Sequence, residues 1–160
     1  MVGQKIDGIE VSNAVKDILN NAVEKLKSEG VEPCLATVLV GDDPASTTYV
    51  KNKHNACEKI GIKTKDHKLP AETTQKYLHE IIDKLNQDKE VHGILVQLPL
   101  PKQLDEFATV SRISPIKDVD GLTPQNVGLL SMEKSILKAC TPSGIMEMFY
   151  YYKIELDGKM

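Results

Sequence analysis

A chain of 160 residues, 41% hydrophobic and 27% charged, has the composition of one globular domain long enough to bury a core. Its formal charge of −3, with Arg112 as the single arginine and acidic residues interspersed among the lysines, excludes a basic nucleic-acid stripe and a surface built for anionic membranes. No apolar run approaches the roughly 20 residues that span a bilayer, so no membrane partner is expected.

The N-terminus, Met1-Val-Gly-Gln-Lys-Ile-Asp7, lacks the apolar core of a signal peptide. Val11, Ala14, Val15, Ile18, Leu19, Ala22, Val23 and Leu26 then recur at helical spacing, predicting an amphipathic helix over 9–28 that ends at Gly30. The continuous apolar run 33–40 reads as a buried strand. After Gly41, Asp43 is placed to cap a second helix and Pro44 to occupy its first turn, with a stop near Gly61. Residues 62–69 are polar and alternating, as in a strand near a sheet edge.

Thr73 and Thr74 open a third helix marked by Leu78, Ile81, Ile82 and Leu85. Residues 91–96 form a second strongly buried strand, taken to be central, which Pro99 and Pro101 prevent from continuing. Short helices are expected over 105–113 and 123–130, and a last one from Thr141-Pro142 through Tyr152. Buried strands alternating with amphipathic helices predict a three-layer α/β/α fold on a small, mostly parallel sheet. Its functional crevice is expected at the carboxyl ends of the strands.

Lys53 is the oddest residue in this pattern. Ser46, Tyr49, Lys53, Ala56 and Ile60 share one helical face, so a lysine interrupts a stripe that reads as core-facing. Either its stem lies along apolar surface with the ammonium reaching water, or the ammonium does chemistry. Gln97, the first polar residue after Val96, either satisfies loose backbone groups or orients a neighbouring ammonium or ligand ring, since an amide both donates and accepts. Asp118 and Asp120 lack the spacing of a calcium loop and suit an Asx turn before Gly121. The four histidines form no metal motif, and no Gly-rich phosphate loop occurs, so no metal is expected. Cys34, Cys57 and Cys140 form no zinc or CxxC pattern, which suits free thiols in a reducing cytoplasm, and Cys57 reads as core.

Four stretches together resemble one family. They are Tyr49-Val-Lys-Asn-Lys53, Gly93-Ile-Leu-Val-Gln97-Leu-Pro-Leu-Pro101, Lys117-Asp-Val-Asp120-Gly121 followed by Asn126-Val-Gly128, and Cys140-Thr-Pro-Ser-Gly144. In order and identity they are similar to motifs of the bifunctional methylenetetrahydrofolate dehydrogenase/methenyltetrahydrofolate cyclohydrolase family. The resemblance implies NADP-dependent oxidation of 5,10-methylenetetrahydrofolate and hydrolysis of the methenyl product in cytoplasmic one-carbon metabolism. It implies that Lys53 is the catalytic lysine, that Gln97 positions it, that Tyr49 packs on the folate rings and that Asp120 accepts from pterin N–H groups. Val50, Lys51, Asn52, Val96, Leu98 and Pro99 are implied as further folate contacts.

The family also has a nucleotide-binding unit that carries NADP, and a full-length homodimer. Residues 1–141 are therefore expected to be the folate-binding catalytic domain, and 142–160 a linking helix and the start of an absent NADP-binding domain. Little dehydrogenase turnover is expected from this chain alone, together with exposed apolar surface. The alternatives are a folate-binding module without turnover and the substrate domain of a related amino-acid-dehydrogenase-like enzyme. The shared side chains at three motifs disfavour the latter.

Overall fold

The structure, a computed structural model, describes residue 3 and residues 5–158. Part of the N-terminal signal-peptide reading (Met1, Val2 and Gln4) and the final Lys159 and Met160 of the expected linking segment lie outside the described residues.

Strands β1 (Cys34–Val40), β2 (Lys63–Leu69) and β3 (Gly93–Val96) form a parallel sheet in the order β2-β1-β3. Strand β2 pairs from Cys34↔Lys63 to Val40↔Leu69, and β3 from Leu35↔Gly93 to Val38↔Val96. The centre of the sheet is therefore β1, and the expectation that residues 91–96 are central is corrected. Strand β3 reads as central because its outer edge is not bare. The Ile94 amide donates to Lys117 O at 2.7 Å, and Ile94 and Asp118 form a parallel bridge. A loop occupies the place of a fourth strand and satisfies the backbone there.

Among the described residues six helices surround the sheet: α1 (Gly8–Ser28), α2 (Pro44–Lys59), α3 (Gln75–Gln87), α4 (Glu106–Ser111), α5 (Pro124–Ser131) and α6 (Cys140–Tyr151). Five begin on side-chain caps, α1 on Asp7, which accepts from the Ile9 amide at 2.9 Å and the Glu10 amide at 3.4 Å. Asp43 accepts from the Ser46 amide at 2.7 Å, Thr74 from Tyr77 at 3.2 Å, Asp105 from Ala108 at 2.9 Å and Thr123 from Asn126 at 3.4 Å. Each such cap is worth about 1 kcal/mol. Among the described residues no helix is long and apolar enough to cross a membrane.

Alternation along the strands divides the molecule into layers. Ala36, Val38, Val40, Ile94 and Val96 face α3, where Leu78, Ile81, Ile82 and Leu85 complete the main core with Leu100, Leu104 and Ile113. On the opposite face lies α2, with α1 and α6 packed together. The Tyr151 and Tyr152 hydroxyls each donate to the Glu10 carboxylate at 2.9 Å. This outer layer is thinly covered. In α1 only Val11 and Val23 are buried, while Ile9 and Ile18 are 74% and 69% exposed.

Candidate active site

Helix α2 and the end of β3 bring the first two polar groups together. Gln97 continues the parity of Gly93 and Leu95, so its side chain leaves the sheet on the α2 side. There Lys53 Nζ donates to Gln97 Oε1 at 3.2 Å, while Gln97 Nε2 donates to Leu98 O at 2.7 Å. The amide is thus held from both ends and can turn only its carbonyl to the lysine. Helix α2 is itself tethered one residue further on. His54 Nε2 lies 2.7 Å from Asp66 Oδ1 on β2 and 3.0 Å from Thr37 Oγ1 on β1. Lys53 therefore rides on a helix pinned to two strands.

The opposite wall is the turn 117–121. Gly93 lets it come close, because a Cβ there would lie 2.5 Å from Val119 Cγ1. Gly121, at φ +63°, is also confined to glycine by packing, since a Cβ would meet the backbone of Lys138 and Ala139 at 2.7–2.8 Å. That approach carries Cys140 to the turn, where its thiol donates to Val119 O at 3.4 Å. Burial pushes the Asp120 carboxyl above its usual value; the Lys53 ammonium pulls it down and the Asp118 charge pushes it up. Asp118 behaves oppositely. Burial alone would raise it, but bonds from the Thr123 amide and the Asn126 side chain outweigh burial and hold it below the usual carboxylate range.

Between these walls lies a cavity of about 770 Å³, large enough for a small organic ligand. It does not sit only at the carboxyl ends of the strands as expected. From Gln97 it runs along the α2 face of β1 and β3 to Leu35 and Pro33, because α2 leaves that part of the sheet uncovered. The structure places Tyr49, Lys53, Gln97 and Asp120 on its lining. The other implied contacts are not on that lining. Helical rotation carries Lys51 and Asn52 to the exposed side of α2 and buries Val50. Strand alternation turns Val96 to the α3 core, Leu98 packs against that same core, and Pro99, after a cis peptide, is exposed.

Two further readings change. The stripe Ser46-Tyr49-Lys53-Ala56-Ile60 is not a core face: Tyr49, Lys53 and Ala56 line the cavity, Tyr49 is 62% exposed, and Ser46 alone is fully buried. Cys57 is half-buried at the cavity wall rather than in the core, its thiol pushed up by burial. The lining also holds His92, Val119 and Cys140, which are outside the expected folate contacts. The C-T-P-S-G stretch marked Cys140, but only the fold of the Gly121 turn puts it beside Asp120.

The model of the tetrahydrofolate dehydrogenase/cyclohydrolase catalytic domain matches residues 6–120, most of the chain and every side chain named on the Lys53 and Gln97 walls. The chain belongs to the tetrahydrofolate dehydrogenase/cyclohydrolase family. Among its relatives, the bifunctional protein FolD of Nitrosopumilus maritimus is 69% identical over 99% of this chain and 55% of that protein. The FolD protein of Cenarchaeum symbiosum is 59% identical over 96% of the chain and 55% of its own length.

Solved structures of the family superpose closely. The Campylobacter jejuni FolD dehydrogenase/cyclohydrolase has a TM-score of 0.94 at 46% identity, covering 96% of this chain and 55% of that one. The Trypanosoma brucei enzyme, complexed with NADP and an inhibitor, has a TM-score of 0.91 at 36% identity, with 96% and 53% coverage. The chain thus spans about half the length of the curated relatives it matches. Within the family fold, this half holds an ammonium fixed by an amide, a carboxyl enclosed opposite it, and an exposed aromatic ring at the mouth. Among the described residues no group of three His, Cys, Asp or Glu is placed to hold a metal.

Proposed function

We propose that this chain supplies the folate-binding catalytic half of a 5,10-methylenetetrahydrofolate dehydrogenase/5,10-methenyltetrahydrofolate cyclohydrolase. The observation that carries the reading is the Lys53–Gln97 pair, bonded at 3.2 Å and sharing one cavity with Asp120. Tyr49 offers a flat apolar face for the folate rings, worth about 0.5–1.5 kcal/mol beyond the area it covers. Asp120 accepts hydrogen bonds from the ring's adjacent N–H donors and fixes its orientation. Lys53 then stands beside the one-carbon bridge. In the hydrolytic step it handles protons as water attacks the methenyl carbon and the ring opens to the formyl product. Gln97 keeps its ammonium aimed, a positioning contribution.

The family's NADP is a separate matter. The sequence holds no Gly-rich turn to cradle its phosphates, so the residues present do not fit that group and no step is routed through it. In this reading dehydrogenase turnover belongs to the longer protein, as does its pairing into a homodimer. Residues 1–141 form the folate side and 142–160 lead toward the nucleotide-binding unit. The three free thiols suit a cytoplasmic setting.

Hydrolysis of 5,10-methenyltetrahydrofolate by this chain, above the spontaneous rate, is the test. Lys53→Met should reduce it about a hundredfold or to background, with an unchanged urea midpoint. Hydrolysis equal in the two proteins, or a chain that neither hydrolyses nor binds folate, would sink the proposal.

A further inference from the structure

The densest polar bonding beside the cavity belongs to residues that do not line it. Lys117 Nζ donates to three carbonyls at the end of α3, Leu85 at 3.1 Å, Asn86 at 2.9 Å and Asp88 at 2.8 Å. The next residue, Asp118, is 1% exposed. Its Oδ2 accepts from the Thr123 amide at 2.8 Å and from Asn126 Nδ2 at 2.9 Å, and Asn126 also donates to Pro115 O at 2.9 Å. The Asp118 carbonyl accepts from the Gly121 amide at 3.2 Å. One residue therefore closes the loop twice, at Gly121 through its backbone and at Thr123 through its side chain. Val119 and Asp120 lie inside that bracket, with Val119 pressed on Gly93 and Asp120 turned to the cavity.

We propose that Asp118 is a positioning residue that acts through Asp120, bracketing the turn so that Asp120 faces Lys53 across the cavity. The proposal rests on the folate reading for its functional meaning and on the turn's geometry for its physical content. A buried carboxylate is costly unless its bonds are made, and truncating it strands two donors. A purely structural Asp118 would lower stability without singling out Asp120. A positioning Asp118 would lose its effect on ligand once Asp120 is disabled.

Three variants separate these roles. Asp118→Asn keeps an oxygen able to accept both donors and removes the charge. Asp118→Ala removes the bracket, and Asn126→Ala loosens it from the other side if Asp118→Ala does not fold. Tetrahydrofolate binding, measured by calorimetry on chains with intact urea transitions, is the first readout. Asp118→Ala should weaken binding about tenfold, and by less than about twofold in the Asp120→Asn background, with Asp118→Asn retaining most of the affinity. Equal losses in both backgrounds, or no loss from Asp118→Ala or Asn126→Ala in folded protein, overturn the proposal.

The second readout needs no folate. The Asp120 carboxyl is titrated by carbon NMR, with Lys53 and Cys140 as the other groups beside it. Asp118→Asn should lower its midpoint because a neighbouring negative charge is gone. Asp118→Ala should lower it further as water enters the loosened turn. A midpoint for Asp118→Ala no lower than that for Asp118→Asn overturns the bracket. A parent chain that binds no tetrahydrofolate but shows this order of midpoints would overturn the folate reading alone.

Discussion

On the α3 side of the sheet, Leu78, Ile82 and Ile94 are wholly excluded from solvent, whereas on the α2 side the same strands front a cavity of about 770 Å³. Both sides are built from the same alternating strands, and the difference lies in the helices laid on them. Helix α3 presents an unbroken apolar stripe that fills its face. Helix α2 buries only Ser46 and Val50 and turns Tyr49 and Lys53 into open space. One face is spent on stability and the other is left able to receive a ligand.

The largest expected effect lies on the closed face. Leu78→Ala should cost about 3 kcal/mol in urea unfolding, from lost burial and the cavity left behind, while the folded fraction binds tetrahydrofolate as the parent does. A loss of affinity in folded protein would show that the two faces are not independent. Gly93→Ala is the variant that should couple them. Its Cβ would press into Val119, costing about 1–3 kcal/mol of stability and also weakening folate binding by displacing the Asp120 turn. A stability loss with binding intact would mean that Val119 yields without moving Asp120.

On the open face the effects should separate from stability. Tyr49→Ala, at a residue 62% exposed, should leave the urea midpoint unchanged and weaken tetrahydrofolate binding by about tenfold or less, read by calorimetry. An equal affinity would remove the ring from the site.

The smallest effect is in the pH dependence of stability. The Asp120 carboxyl is raised in the folded chain above its ordinary 3.8, so its contribution is present below that value and lost as pH rises through the folded value. The Asp118 carboxyl is lowered, so its contribution is present above 3.8 and lost as pH falls through its folded value. Relative to the parent, Asp120→Asn should be more favourable near pH 6 than near pH 3, and Asp118→Asn less favourable. Urea titrations at both pH values check the signs. The same trend for both variants would mean that the two carboxyls share one environment.

Local rules made much of this legible. Asp43 caps α2 as its place before Pro44 predicts, the helices at Thr74, Asp105 and Thr123 start near their expected positions, and continuous or alternating apolar runs mark β1 and β2 for the reasons that apply to any strand. Lys53 and Gln97 stood out because each is a polar residue at the edge of an apolar pattern, and the motif resemblance gave those positions a shared meaning. The pattern of β3 does not reveal its rank, because burial on both sides looks the same whether the neighbour is a strand or the loop at Lys117 and Asp118. Val50, Lys51 and Asn52 stand beside a motif lysine in the chain but rotate away from it on the helix.

What the sequence determined by itself is the order of elements, their caps and the identity of the side chains able to do chemistry, since these depend on neighbours within about one or two turns of chain. Only the tertiary structure decided which of those side chains share a space. Lys53 meets Gln97 across 44 positions of sequence, and Asp120 is set opposite through contacts with Gly93 and Ala139. Such meetings depend on how helices settle on a sheet and on where a missing Cβ lets two segments close, and no local pattern encodes that distance.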